Sequence, residues 1–337
     1  MRLKAPFPEE DKVMTLEEAI KKFVNDGDVV YVGGFQLCIP IEACFEIVRQ
    51  KKRNLTCWTV GHDTVLAIDL LVGTGCCKEV HYGWFASWPV RRPPATIRAY
   101  KEGKVKLYQY SNYTAMIALL GAYFGWTFAP SLSDHGSDLV KYNPNLIYTE
   151  CPFTKKKYVA VKCPEIDVAI IHCQRADRYG NGQKWMSRTV SDEWGAGAAK
   201  RVIITCEELV PNEVIRHDPD RTMIPFWKTC AVVEVPWGAH PTGMYGYYIR
   251  DQPFETYAAR HFMREDLMWK FIEEWVLGCS NREEYIRHYV EKFGWEALER
   301  LRIKHHIYPI APVDYGYTGW EVFKGVEYPV EEEGGGK

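Results

Sequence analysis

A chain of 337 residues, 47% hydrophobic and 26% charged, is long enough for one large or two modest domains around a substantial core. Its 42 basic and 44 acidic residues leave a formal charge of −2, which excludes the basic excess that nucleic acid or an anionic membrane surface selects.

Residues 1–12 lack the apolar segment of a secretory signal, and no run along the chain approaches the ~20 apolar residues of a membrane span; a cytoplasmic protein is expected. Thr15-Leu16-Glu17-Glu18 is a capping box, in which hydroxyl and carboxylate satisfy free amides reciprocally. It opens a helix whose Ala19, Ile20, Phe23 and Val24 share one face and which stops at Asn25-Asp26-Gly27. Val29-Val30-Tyr31-Val32 is a β-branched and aromatic run fit for a buried strand. Gly33-Gly34 then opens backbone conformations closed to other residues, Phe35 closes the turn, and Pro40 precedes a helical pattern over 41–50. Strand, double glycine and helix is how α/β proteins bring a ligand to bare backbone amides; a tight connection with no ligand accounts for the same pattern equally well.

Further strands are expected over 55–60, ending at Gly61-His62-Asp63, over 80–85, followed by a proline-rich break through Pro94, and over 105–110. Residues 64–72 read as an apolar helix or turn. The span 114–124 is apolar throughout, with small residues at Ala115, Ala118, Gly121 and Ala122, the mark of a buried helix. Residues 128–148 mix polar, Gly and Pro content and read as a loop with room for one short element. Short β-rich runs follow at 159–161, 168–172, 201–205 and 230–235, with a turn at Tyr179-Gly180-Asn181-Gly182 and a helical stretch at 196–200. Strands alternating with helices predict an α/β fold built on a largely parallel open sheet flanked by helices. From 254 to about 302 the pattern turns helical. The expected organisation is an α/β domain over 1–253, a C-terminal helical extension over 254–330 and a disordered tail over 331–337. Twelve Trp, 21 Tyr and 14 Phe are the content of cores and subunit interfaces.

Catalytic motifs are mostly lacking: there is no G-x-S-x-G elbow, P-loop, H-E-x-x-H or dinucleotide fingerprint. The eleven cysteines are odd in number, scattered through apolar contexts and without a C-x-x-C, which argues against a disulfide framework and against metal-ligand spacing. Gln36, His62, Asp63, Ser111, Asn112, Gln174 and His240 stand at predicted strand ends, where α/β sheets place ligands. Taken singly, each reads first as a cap or a satisfied buried group. Asn112 stands out, since it follows a strand and starts a buried helix, where its amide could donate beside free helix amides. Capping that helix is a role Ser111 or Asn112 would fill equally well.

The residues 14–20, 33–35, 106–111, 167–174, 204–208, 238–241 and 245–248, in that order, resemble the α subunit of family I CoA-transferases, most closely the glutaconate type, and the likeness runs from about 13 to 301. Departures are the missing glycine in Gln36-Leu37-Cys38-Ile39, which 3-oxoacid members carry, and the missing acidic residues at Tyr108-Gln109-Tyr110. The resemblance implies a fold related to ribose-5-phosphate isomerase, shared with a β subunit in an α2β2 or larger assembly. It implies an active site between the subunits, with the catalytic glutamate on the β subunit, so that this chain alone is inactive. It further implies Asn112 as an oxyanion donor, and Gly33, Gly34, Phe35, Gln36 and Ser111 at the substrate or CoA site. The substrates are an acyl-CoA thioester and a carboxylic acid, dicarboxylates included, with no permanently bound cofactor and no metal. Related ring-cleaving hydrolases carry a glutamate near position 112. A neutral amide can only donate to an oxyanion, and so favours transfer over hydrolysis. The alternative in the same fold is a subunit of a CoA-thioester hydrolase, a C–C hydrolase or a decarboxylase. Arg91, Arg92 and Arg98 read first as a solvated basic loop.

Overall fold

The capping box closes as its residue types dictate. The Thr15 hydroxyl accepts from the Glu18 amide at 3.2 Å, Glu18 accepts from the Thr15 amide at 2.9 Å, and helix α1 (Leu16–Phe23) begins. In the computed structural model, which describes residues 10–185, 191–303 and 325, β1 (Val29–Val32) follows, then α2 (Ile41–Arg49) and β2 (Leu55–His62). A π-helical turn (Val65–Asp69) runs into α3 (Leu70–Gly73), and β3 (Cys77–Phe85), α4 (Pro94–Lys101), β4 (Lys106–Gln109) and α5 (Asn112–Tyr123) complete the first half. The chain continues through β5 (Phe128–Ser131), α6 (Leu139–Tyr142), β6 (Leu146–Glu150), β7 (Lys157–Lys162), β8 (Ile166–Ala176) and β9 (Gly182–Gln183). Next come α7 (Asp192–Ala198), β10 (Ala199–Leu209), α8 (Asn212–His217), β11 (Thr222–Ile224) and β12 (Thr229–Glu234). Helices α9 (Gln252–Phe262), α10 (Glu265–Phe271), α11 (Arg282–Phe293) and α12 (Trp295–Glu299) close the described chain.

The first four strands lie side by side and parallel, and the chain then crosses back so that β8 pairs with the free edge of β1. Strands β10 and β12 extend that side, also parallel, while β9 and β11 add an antiparallel fringe. The predicted largely parallel sheet is thus present, with β1 at its centre. Strand alternation explains its two faces. Val30 and Val32 point into a core shared with Phe45, Leu66, Phe254, Trp275 and Tyr289, whereas Tyr31 points into a second core with Trp58, Tyr110, Ala118 and Ile171. Burial on both sides is why these strands read as unbroken apolar runs. The C-terminal helices contribute to the same core as the sheet and bring Phe254, Phe271, Trp275, Tyr285 and Tyr289 into it.

Several expectations need correcting. The span 128–148 is not a loop: β5 and β6 flank β7 in a separate, three-stranded antiparallel sheet. Pro130 concealed β5, and an edge position tolerates it because a proline has no amide to donate. The proline-rich break ends in α4, whose first residue is Pro94, a residue suited to a first helical turn. Strands β2, β3, β8 and β10 each run longer than their apolar centres. Helix α5 starts two residues earlier than expected and is only partly buried, with Tyr113 and Tyr123 exposed. The predicted tail at 331–337 lies outside the described residues. All eleven cysteines are free, and only Cys151 and Cys230 are not buried.

Candidate active site

Strand order reverses at β1: the chain leaves it towards β2 on one side and returns to β8 on the other. A crevice outside the carboxyl ends of the strands at this switch point is where open α/β sheets take ligands. The Gly33-Gly34-Phe35 turn lies there, and it is not a cradle of bare amides. The amide of Gly33 donates to the Ile170 carbonyl at 2.9 Å, that of Gln36 to Gly61 at 2.9 Å and that of Cys38 to Gly243 at 2.8 Å. Phe35 and Leu37 bond to each other in both directions, and the Gly34 amide donates to the Asp192 carboxylate at 2.8 Å. Gly34 has φ +90°, while Gln36 and Cys38 take left-handed conformations at φ 61° and 57°. Each of the last two costs about 1–2 kcal/mol in a residue with a Cβ, so the surrounding bonds over-determine the turn.

The turn therefore presents side chains. Phe35 crosses the end of β2, where a Cβ on Gly61 would come within 2.4 Å of its ring. The carbonyl of Gln36 accepts from Arg250 at 2.7 Å, and the same guanidinium pairs with Asp63 and Glu255. Burial raises Glu255 to about 8 against the pull of Arg250. His62 donates from Nε2 to the Gly33 carbonyl at 3.0 Å, and its Nδ1 is buried with no partner. Burial lowers its pKa to about 4, only partly opposed by the Gly33 carbonyl and Asp63.

A folded-state pKa depressed from 6.5 to about 4 means that the unfolded chain binds more protons across that window. Stability at His62 is therefore complete above pH 6.5 and falls as pH drops towards 4. Between pH 7 and pH 5 the loss is about 2 kcal/mol. Thermal melts at pH 5, 6 and 7 should show a shallower dependence for His62→Gln than for the parent, and parallel curves would rule out His62 as the source.

Asn112 stands at the far end of β4. Ser111 takes the capping role, its hydroxyl accepting from the Thr114 amide at 3.1 Å, and it is itself held by Ser133 at 2.8 Å and by Asp134. Asn112 is thereby left as the first helical residue, exposed, and the amides of Asn112 and Tyr113 have no acceptor among the described residues. The helix rests on β3 at Gly83, where a Cβ would come within 2.5 Å of the Asn112 Oδ1. Three unoccupied donors, one side-chain amide and two backbone N–H groups, thus sit at the positive end of a 12-residue helix.

The remaining predicted polar residues serve the frame. Gln174 ties the Trp185 and Tyr245 carbonyls, and His240 joins Tyr285 to Asp251 at full burial. Arg98 is tied to the Phe262 carbonyl at 2.7 Å, while Arg91 and Arg92 are exposed, Arg91 over the Trp88 ring. Sequence reasoning missed Lys184, Asp192 and Arg250, since a lone charged residue in a polar stretch carries no sign of burial. Among the described residues no cluster of three His, Cys, Asp or Glu side chains could hold a metal ion, and no helix is long and apolar enough to cross a membrane.

Residues 13–235 match the family model described as Coenzyme A transferase. The chain is 35% identical over 277 residues to the A-type subunit of 3-oxoadipate CoA-transferase from Pseudomonas knackmussii, covering 81% of this chain and 96% of that protein. It is 34% identical over 311 residues to the A-type subunit of glutaconate CoA-transferase from Acidaminococcus fermentans, covering 87% and 95% of the two chains. The crystal structure of that glutaconate enzyme superimposes with a TM-score of 0.80 over 87% of this chain and 96% of its own. The decarboxylase AibA/AibB, 28% identical, follows at 0.67 over 79% and 98%. With sheet order, switch point and relatives in agreement, the chain belongs to the coenzyme A transferase family.

Proposed function

We propose that this chain is the α-type subunit of a heteromeric CoA-transferase, which moves coenzyme A between an acyl-CoA and a carboxylic acid once it joins a β-type subunit of similar fold. The observation that carries this reading is Asn112, a neutral amide exposed beside two unoccupied helix amides at the sheet's carboxyl end. A glutamate supplied by the β-type partner attacks the thioester carbonyl, forming an acyl-glutamyl anhydride and releasing CoA thiolate. The thiolate then attacks the glutamyl carbonyl, which frees the acyl carboxylate and leaves a glutamyl-CoA thioester. The acceptor acid reverses the two steps and departs as the new CoA ester. Every addition places negative charge on a carbonyl oxygen, and a fixed donor such as Asn112 stabilises it. Phe35 and Gln36 form the wall beside the acyl group, with Gly33 and Gly34 shaping the turn and Ser111 fixing the start of α5. The thioester is itself the CoA carrier, so the scheme needs neither a permanently bound cofactor nor a metal. An α2β2 or larger assembly in a reducing cytoplasm suits a site shared between subunits.

The likeness to the decarboxylase AibA/AibB favours a second reading, in which the same cleft decarboxylates its substrate, with hydrolysis of a CoA thioester the further alternative in this fold. Co-expression with a β-type subunit, followed by incubation with acyl-CoA and a labelled acid, separates them. Labelled CoA ester is the expected product, whereas carbon dioxide in its place would establish the second reading and free CoA the hydrolytic alternative. Equal activity from the lone chain would overturn the shared site.

A further inference from the structure

Of the six amides in residues 33–38, five donate to backbone carbonyls and one, that of Gly34, donates to a carboxylate. That carboxylate belongs to Asp192 at the start of α7, 158 residues away. The same oxygen accepts from the Tyr31 hydroxyl at 3.1 Å, and the other oxygen pairs with the Lys184 ammonium. Lys184 is 0% exposed and Asp192 1%, so both charges have left water. A buried pair of this kind is poor economy for stability alone, because apolar side chains of similar volume often do as well or better. The local backbone is shaped to admit the pair: a Cβ on Gly33 would stand 3.0 Å from the Asp192 carboxylate, and one on Gly195 would be 2.2 Å from the Tyr31 ring. Burial, the largest single effect, draws the Lys184 pKa down, but the charge of Asp192, the nearby Cys38 and Cys173 and the bond to Asp192 together outweigh it and the net direction is up.

We propose that Lys184 and Asp192 are positioning residues, which hold Gly34 left-handed so that Phe35 and Gln36 stand at a fixed place in the cleft. Neither side chain reaches the cleft surface; the pair acts through the turn. The proposal rests on the CoA-transfer reading of the cleft for its kinetic consequence, though not for its structural one.

The test uses two double variants of the assembled enzyme, Lys184→Met with Asp192→Asn and Lys184→Met with Asp192→Leu. Both discard the charges, but only asparagine keeps an acceptor for the Gly34 amide. The Asn variant should turn over within about 3-fold of the parent, while the Leu variant loses between about 10-fold and 100-fold in kcat with little change in KM for acyl-CoA. Hydrogen exchange of a peptide spanning Gly34 should be slow in the parent and in the Asn variant and at least about 10-fold faster in the Leu variant. Equal kcat and equal exchange in the two variants would overturn the proposal. If neither variant folds, exchange in the parent decides: a rate typical of an exposed loop at Gly34 would also overturn it. A parent that moves no CoA between acids would remove the transfer reading, and the exchange result would still decide whether the pair fixes the turn.

Discussion

Replacing Asn112 with alanine in the assembled enzyme is expected to lower kcat about 10²-fold, the usual cost of one oxyanion donor. The fold should not notice. Asn112 is exposed, Ser111 keeps the cap through Thr114, and alanine is a better helix former than asparagine. The melting temperature should therefore hold while turnover falls, which separates a catalytic loss from an unfolding one. Asn112→Asp should be at least as slow, because a carboxylate accepts where a donor is needed and repels the developing oxyanion. Gly83→Ala should also slow turnover, since its Cβ would crowd the Asn112 Oδ1 and Cα and the Val60 carbonyl and so push the start of α5 off the sheet. Unchanged turnover in Asn112→Ala would remove this residue from the site.

Phe254→Ala should have the largest effect on stability, a loss of about 3–5 kcal/mol. Its ring is fully buried and lies 4.8 Å from Trp275, 5.5 Å from Tyr289, 6.0 Å from Phe293 and 6.1 Å from Tyr285, mostly in edge-on or tilted arrangements. Such pairs add ~0.5–1.5 kcal/mol each beyond area burial, so the cavity forfeits several at once. Chemical unfolding monitored by tryptophan fluorescence measures the loss. Because α9–α12 share a core with β1 and α2, the helices and sheet should unfold in one transition. A loss below about 1 kcal/mol, or a separate early transition for the helices, would contradict that shared core.

What could be read from the chain tracks how local its cause is. The Thr15–Glu18 box, the β1 run and the double glycine are set by neighbours in sequence, and each formed where expected. Strand β5 was missed because Pro130 argues locally against a strand, and only its place at the edge beside β7 reverses that. Helix α4 was hidden by Pro93 and Pro94, one of which starts it. Asn112 could be singled out from its position between a strand and an apolar helix, helped by the family resemblance. That Ser111 and not Asn112 caps the helix needed the contacts of its hydroxyl with Thr114 and Ser133. Asp192 and Arg250 left no trace, since the backbone groups they hold lie 158 and 214 positions away, and Lys184 is buried against Asp192, whose own place the distant turn decides. The bare-amide picture of the turn failed for the same reason, as its acceptors come from Ile170, Asp192 and Gly243.

A turn whose amides are all bonded before any substrate arrives has few conformations left to lose. The ordering entropy that a loose loop would surrender on ligand binding is here lost during folding, which leaves more of the contact energy available as affinity. Free and ligand-bound forms should then superimpose closely through residues 33–38, and on the proposed transfer reading adaptation to different acids would fall to the Phe35 and Gln36 side chains. On the proposed transfer reading, exchanging those two side chains should retune acid preference while the backbone of residues 33–38 stays in place, and an unchanged preference would remove them from the acid site.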